Sequence, residues 1–122
     1  MKTIRLYLLR RLVRRIIKKQ HADADKRDSQ SARYGDAGHW IRHAASQANK
    51  AIEKSLLEAV DVYSLDPVLL SLSEAKKEFR TQSYDGDEGG YGLCAFNEIM
   101  SDMFRIHRVF GKKSRYLLDD LI

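Results

Sequence analysis

The chain has one cysteine, one proline and no acidic residue before Asp23. Each scarcity excludes something. A lone Cys94 forms no intrachain disulfide, so the fold must be held by its core, and such usage fits a reducing compartment. A single proline, Pro67, in 122 residues predicts long uninterrupted elements. No apolar run reaches the roughly 18 residues of a membrane span. Arginine pairs divide the first twenty residues too finely for a secretory signal, although their Arg-rich, acid-free make-up has the character of a transit peptide. The expectation is a cytoplasmic protein of one domain, 1–122, with 43% apolar residues to supply one core.

The net charge of +5 is unevenly spread. Residues 1–20 hold eight Lys or Arg and no acid. The middle, 21–104, holds nine basic and fifteen acidic residues, a net −6. The stretch 105–115, "RIHRVFGKKSR", adds five basic residues and no acid. Two basic ends bracket an acidic body, so the pI near 9.4 describes patches rather than a uniform surface.

The first basic end is also periodic. "LLRRLVRRIIKK", 8–19, alternates two apolar residues with two basic ones, three times. At 100° per residue the leucines, valine and isoleucines take one half of a helix and the cations the other. Leu8, Leu12, Ile16 and their neighbours are expected to pack on the body, with Arg10, Arg11, Arg14, Arg15, Lys18 and Lys19 facing outward. Arg5 falls among the apolar residues, so either the helix begins near Leu6 or "TIRLYL" is briefly extended. Residues 21–38 read as a polar linker, unless the first helix continues into them.

The body, 39–122, has helical patterning. Ile41, Ala45, Ala48, Ile52, Leu56, Ala59 and Tyr63 form one stripe over about 37–63, and Ala44, Ala45, Ala48 and Ala51 would let a neighbour approach closely. "SLDP" breaks it. Asp66 as N-cap with Pro67 in the first turn predicts a third helix over about 67–80, its inner side Val68, Leu69, Leu72, Ala75 and Phe79. "SYDGDEGGYG", 83–92, reads as a loop, since it holds four of the seven glycines. A fourth helix is expected from about Leu93 to Phe110, stopping at Gly111, with Phe96, Ile99, Met100, Met103 and Phe110 inside. "SRYLLDDLI" predicts a short last helix. The fold class expected is all-α, a single-domain bundle of four or five helices with an N-terminal cationic amphipathic helix.

Motifs with specific chemistry are sparse. "DGDEGG" opens like a calcium loop at Asp85, Asp87 and Gly90, but Phe96 stands where the bidentate Glu belongs. No Gly-Lys-Ser/Thr follows, so it is no phosphate loop. Asp36, His39 and His43 share a helix face, yet the spacing demands no third ligand for a metal. His107 falls on the core stripe of the fourth helix and reads as a core histidine, Cys94 as a buried thiol, and Trp40 as buried. Arg33 and His39 carry a two-residue resemblance to the Arg-to-His motif of HEPN-type helical ribonucleases, which implies RNA cleavage. Tyr34 replaces the polar residue that usually follows the arginine, and Gly35 and Gly38 interrupt a helix there. No nucleophile, base and orienter come together in the sequence, so no catalytic residue, metal or cofactor is assigned.

The expected function is a small non-enzymatic regulatory or accessory protein binding nucleic-acid backbone, DNA or RNA. The contacting residues would be Arg10, Arg11, Arg14, Arg15, Lys18 and Lys19 from the front, and Arg105, Arg108, Lys112, Lys113 and Arg115 from the back. The alternative is an adaptor or inhibitor docking on an acidic protein surface, and a third is a helical ribonuclease or metal enzyme. A membrane surface suits the first helix less well, because its apolar side lacks Trp and Phe. Self-association is left open.

Overall fold

The computed structural model describes residues 2–30, 37–82, 87–107, 114–116 and 118–121. They form α1 (Lys2–Asp28), α2 (Ala37–Val62), α3 (Asp66–Gln82), α4 (Asp87–Arg105) and a single-turn α5 (Leu118–Leu121). The fold is all-α, a bundle of four long helices with the short fifth, and no strand occurs among the described residues.

α2 packs against α1, α3 and α4, while α1 also touches α4, and α3 touches α4. Contacts along the helices give their directions. Lys2 pairs with Asp61, Arg10 with Glu53, and Arg42 with both Asp25 and Asp28, so α1 and α2 run antiparallel. Gln47 Nε2 donates to Gln82 Oε1 at 2.9 Å, which ties the middle of α2 to the end of α3. Lys19 meets Glu98 and Asp102, whereas Arg27 lies 4.8 Å over Tyr91, so α4 also runs against α1. The order is up, down, up, down.

The expected stripe of α2 is the centre of the core. Ile41, Ala45, Ala48, Ile52, Leu56 and Ala59 are buried, joined by Ala44. Alanines bring helix axes close, and the larger residues of the neighbours fill what remains: the Phe79 and Phe96 rings meet tilted at 5.3 Å, with Met100 and Met103 also buried. Tyr63, the last of the stripe, is only half-buried. It takes the left-handed φ of 57° that ends α2, and Ser64 N–H donates back to Ala59 O at 3.1 Å to close the turn. Arg5 lies 3.7 Å over the Tyr63 ring, which explains an arginine on the packing flank of α1. In α3, Val68, Leu69, Leu72 and Phe79 are buried as expected, Ala75 is only partly so, and Lys76 is buried. Burial and the nearby Arg80 hold the Lys76 ammonium below the usual lysine range.

Several expectations need correction. α1 continues to Asp28, so 21–28 is helix rather than linker; its acids then have partners, Asp23 with Arg27 and Asp25 and Asp28 with Arg42. "TIRLYL" is helical from Lys2. Asp66 is not the N-cap: Leu65 C=O accepts the first helical bond from Leu69 N–H, and the Asp66 carboxylate binds Ser114 Oγ (2.5 Å) and Arg115 Nε (3.3 Å) instead. The glycine loop is mostly not a loop. α4 starts at Asp87 and takes in Gly89, Gly90 and Gly92. Gly92 is there for space, because a Cβ would sit 2.3 Å from Phe79 Cζ and 3.1 Å from the Trp40 carbonyl oxygen. Helix at Asp87–Gly92 also excludes a calcium-loop backbone, which needs a sharp turn at its central glycine. At its other end α4 stops at Arg105, before the expected Phe110, and Ile106 N–H bonds to Met103 O at 3.3 Å; Phe110 and Gly111 lie outside the described residues.

Candidate nucleic-acid interface

The packed stripe of α1 is Leu9, Val13, Ile16, Ile17, Gln20 and Ala24. Of the expected triplet only Ile16 is buried; Leu12 is half-buried and Leu8 is 43% exposed. This rotation decides which cations meet the body and which meet solvent. Arg10 sits on the α2 flank, 3.8 Å from Glu53. Lys19 sits on the α4 flank, 3.0 Å from Glu98 and 3.3 Å from Asp102. Those two carboxylates raise the Lys19 ammonium above its usual range. Desolvation pushes the Glu98 carboxyl up, but Lys19, Gln20 and Arg27 together outweigh it and the net shift is downward.

Between the flanks stand Arg11, Arg14, Arg15 and Lys18. All four are exposed, and none has an ion pair among the described residues. Arg11 and Arg15, and likewise Arg14 and Lys18, are one turn apart, about 6 Å along the axis. The row is therefore a rigid, outward ladder of four charges. Its forward end is apolar: Ile4 and Tyr7 are each 58% exposed, next to Leu8. Arg11 reaches back to within 5.9 Å of the Tyr7 ring centre.

The second basic cluster is only partly described. Arg108, Lys112 and Lys113 lie outside the described residues. Arg105 comes next to the front cluster: with Leu12, Arg15, Ile16, Lys19, Asp102 and Ile106 it lines a shallow cavity of about 260 Å³, apolar in its floor and cationic at its rim. It also pairs with Asp102 at 3.6 Å. Arg115 is at a separate place, held by Asp66 beside Tyr116. Sequence reading did not single out Tyr7. The signal was present, since Tyr7, Arg11, Arg14 and Lys18 are spaced i, i+4, i+7 and i+11.

The other chemistry-bearing residues do not converge. His39 and His43 stack in parallel rings 6.3 Å apart, and His43 Nε2 is 3.0 Å from the Gln47 amide. Trp40, expected to be buried, is half-buried and edge-on to Phe79 at 5.9 Å. No group of three or more His, Cys, Asp or Glu is placed for a metal among the described residues, and Arg33 and Asp36 lie outside them. His107 is not a core histidine: α4 ends before it, and it is exposed, Nδ1 3.0 Å from Phe104 O. Cys94 is exposed rather than buried, because the core face of α4 passes through Ala95 and Phe96 instead. No helix among the described residues is long and apolar enough to cross a membrane. No protein-family model, curated protein or solved structure matches the chain.

Proposed function

We propose that this protein is a small accessory or regulatory factor that grips the phosphate backbone of nucleic acid with the outer face of α1. The observation that carries the reading is the ladder of Arg11, Arg14, Arg15 and Lys18, which have no acidic partner among the described residues although the body is rich in acids. Four cations held on one rigid helix lose no backbone entropy on meeting a polyanion, and they release its counterions. Arg10, Lys19, Arg105 and Arg115 take a lesser share, since each already shares its charge with a carboxylate. Such binding would recognise charge and shape, since a row of cations along one helix face meets the phosphate backbone of any sequence alike.

The test is salt dependence. With about four phosphates contacted, log affinity falls against log salt at a slope of roughly −3 for a single strand and −3.6 for a duplex. Changing Arg11 and Arg15 together to Glu should weaken binding to every sequence alike and flatten the slope by at least about 1.4. Lys19→Ala should move it less. A wild-type protein that binds neither DNA nor RNA at low salt would refute this reading.

A second reading rests on the cavity floored by Leu12, Ile16 and Ile106 and rimmed by Arg15, Lys19 and Arg105. An apolar floor with cations around it matches an acidic amphipathic helix of a protein partner. In that case the same arginine reversals abolish capture of one acidic protein, and nucleic acid is not bound.

A further inference from the structure

The three exposed large apolar residues of α1 are gathered at one end. Ile4, Tyr7 and Leu8 occupy its first two turns, and the four unpaired cations occupy the turns that follow. They share one outward side: Tyr7, Arg11, Arg14 and Lys18 form one stripe, and Ile4, Leu8, Arg11 and Arg15 form its neighbour, each at i, i+4, i+7, i+11. Single exposed apolar residues need no explanation, but a cluster continuous with a charged row does. Tyr7 is also the one exposed Phe, Tyr or Trp among the described residues. Among the half-buried rings, Tyr63 lies under Arg5, Tyr91 under Arg27, Tyr116 under Arg115 and Trp40 against Phe79.

We propose that this face binds single-stranded nucleic acid, with an unstacked base seated on Tyr7 between Ile4 and Leu8 and the adjoining phosphates on Arg11, Arg14, Arg15 and Lys18. The proposal rests on the backbone-binding reading above and narrows it. A duplex keeps its bases stacked inside and would lay phosphates across Ile4, Tyr7 and Leu8, taking charge out of water against apolar groups. A single strand offers both a π-face for the apolar end and phosphates for the charged end, in that order along the row. Arg11, whose guanidinium carbon lies 5.9 Å over one side of the Tyr7 ring, can contact the phosphate of a nucleotide stacked on the other side and keep its cation–π component. A second copy of the chain fits poorly, because its α1 would bring the same cations against these.

The experiment measures fluorescence anisotropy of a labelled oligothymidylate and of a duplex of equal length, titrated with the full chain at several salt concentrations. Wild-type protein, Tyr7→Ala and Tyr7→Phe are compared, each checked by its thermal melt. The single strand should bind more tightly than the duplex. Tyr7→Ala should weaken it by about 5- to 150-fold, leave its salt slope unchanged and hardly alter the duplex, since stacking releases no counterions. Tyr7→Phe should restore the affinity. If Tyr7→Ala binds the single strand like wild type, or the duplex binds as well as the strand, the tyrosine site is refuted and backbone binding stands. If neither nucleic acid binds, both readings fall together.

Discussion

Leu8 and Leu9 are the same residue one position apart, and Leu9 is completely buried while Leu8 is 43% exposed. Lys18 and Lys19 differ in the same way: one stands free in solvent, the other bridges to two carboxylates of α4. The cause is a mismatch of periods. The repeat "LLRR LVRR IIKK" has period four, whereas the helix turns every 3.6 residues, so each repeat advances about 40° around the axis. The repeat therefore spirals across the contact. Its first apolar position goes from exposed Leu8 through half-buried Leu12 to buried Ile16. Its first cation leaves the α2 flank at Arg10 and is outward by Arg14 and Lys18; its second is outward at Arg11 and Arg15 and reaches the α4 flank at Lys19. Chemically equal positions thus become anchor, bridge or free ligand group by phase alone.

The contrast breaks most sharply at the leucines. Leu9→Asp should destabilise the fold by about 4 kcal/mol or more, combining a lost core side chain with a buried charge that has no partner. That is a large part of the 5–15 kcal/mol by which domains of this kind are stable. Leu8→Asp, one residue away, should cost less than about 1 kcal/mol. Urea denaturation of the two variants checks this. Equal losses would mean that α1 is seated in a different rotation.

A second pair tests the same inside–outside rule on α4. Nothing lies within 4 Å of a Cβ placed on Gly90, whereas one on Gly92 strikes the fully buried Phe79 ring. Gly92→Ala should destabilise by about 1–3 kcal/mol through overpacking. Gly90→Ala should instead stabilise by about 0.5–1 kcal/mol, because alanine has the lower entropy cost in a helix. A melting temperature that rises or stays put for Gly92→Ala would refute the packing of Gly92 against Phe79.

These pairs also mark what the sequence could disclose. The all-α class, the buried stripe of α2 and a break after it follow from apolar spacing and one proline; the structure has them, with the break at 63–65 rather than at Ser64–Pro67. The start of α4 was illegible, because a glycine in a helix and a glycine in a loop look alike until the neighbour that needs the room is known. Here that neighbour is Phe79, thirteen positions before Gly92. The extension of α1 past Lys19 was hidden for a related reason: its polar residues there are held by Arg42 of another helix. At the candidate interface the cationic composition was plain, but its division into paired and unpaired members was not. That division depends on where Glu53, Glu98 and Asp102 come to lie, and these are tertiary positions.

The smallest expected effect separates the two lysines. Lys19, with Gln20 and Arg27, holds Glu98 below the usual carboxylate range against partial desolvation, and Glu98 and Asp102 hold Lys19 above the usual lysine range. A depressed carboxyl contributes stability that is present above its unfolded value, about 4.3, and is lost as pH falls through the lower folded value. A raised ammonium contributes stability that is present below its unfolded value, about 10.4, and is lost as pH rises through the higher folded value. The α1–α4 bridge should therefore act over the whole span between these limits and fade at both ends. Lys19→Ala should lower stability near neutrality by no more than about 1 kcal/mol, since Lys19 and Glu98 are about half exposed and their attraction is screened. Its difference from wild type should shrink on acidification below about pH 4. Lys18→Ala, which removes a cation with no acidic partner, should show no such pH-dependent difference. Thermal melts of the three proteins across pH measure this directly. If Lys18→Ala and Lys19→Ala give the same profile, the phase that turns one lysine outward and the other toward α4 is not the one described.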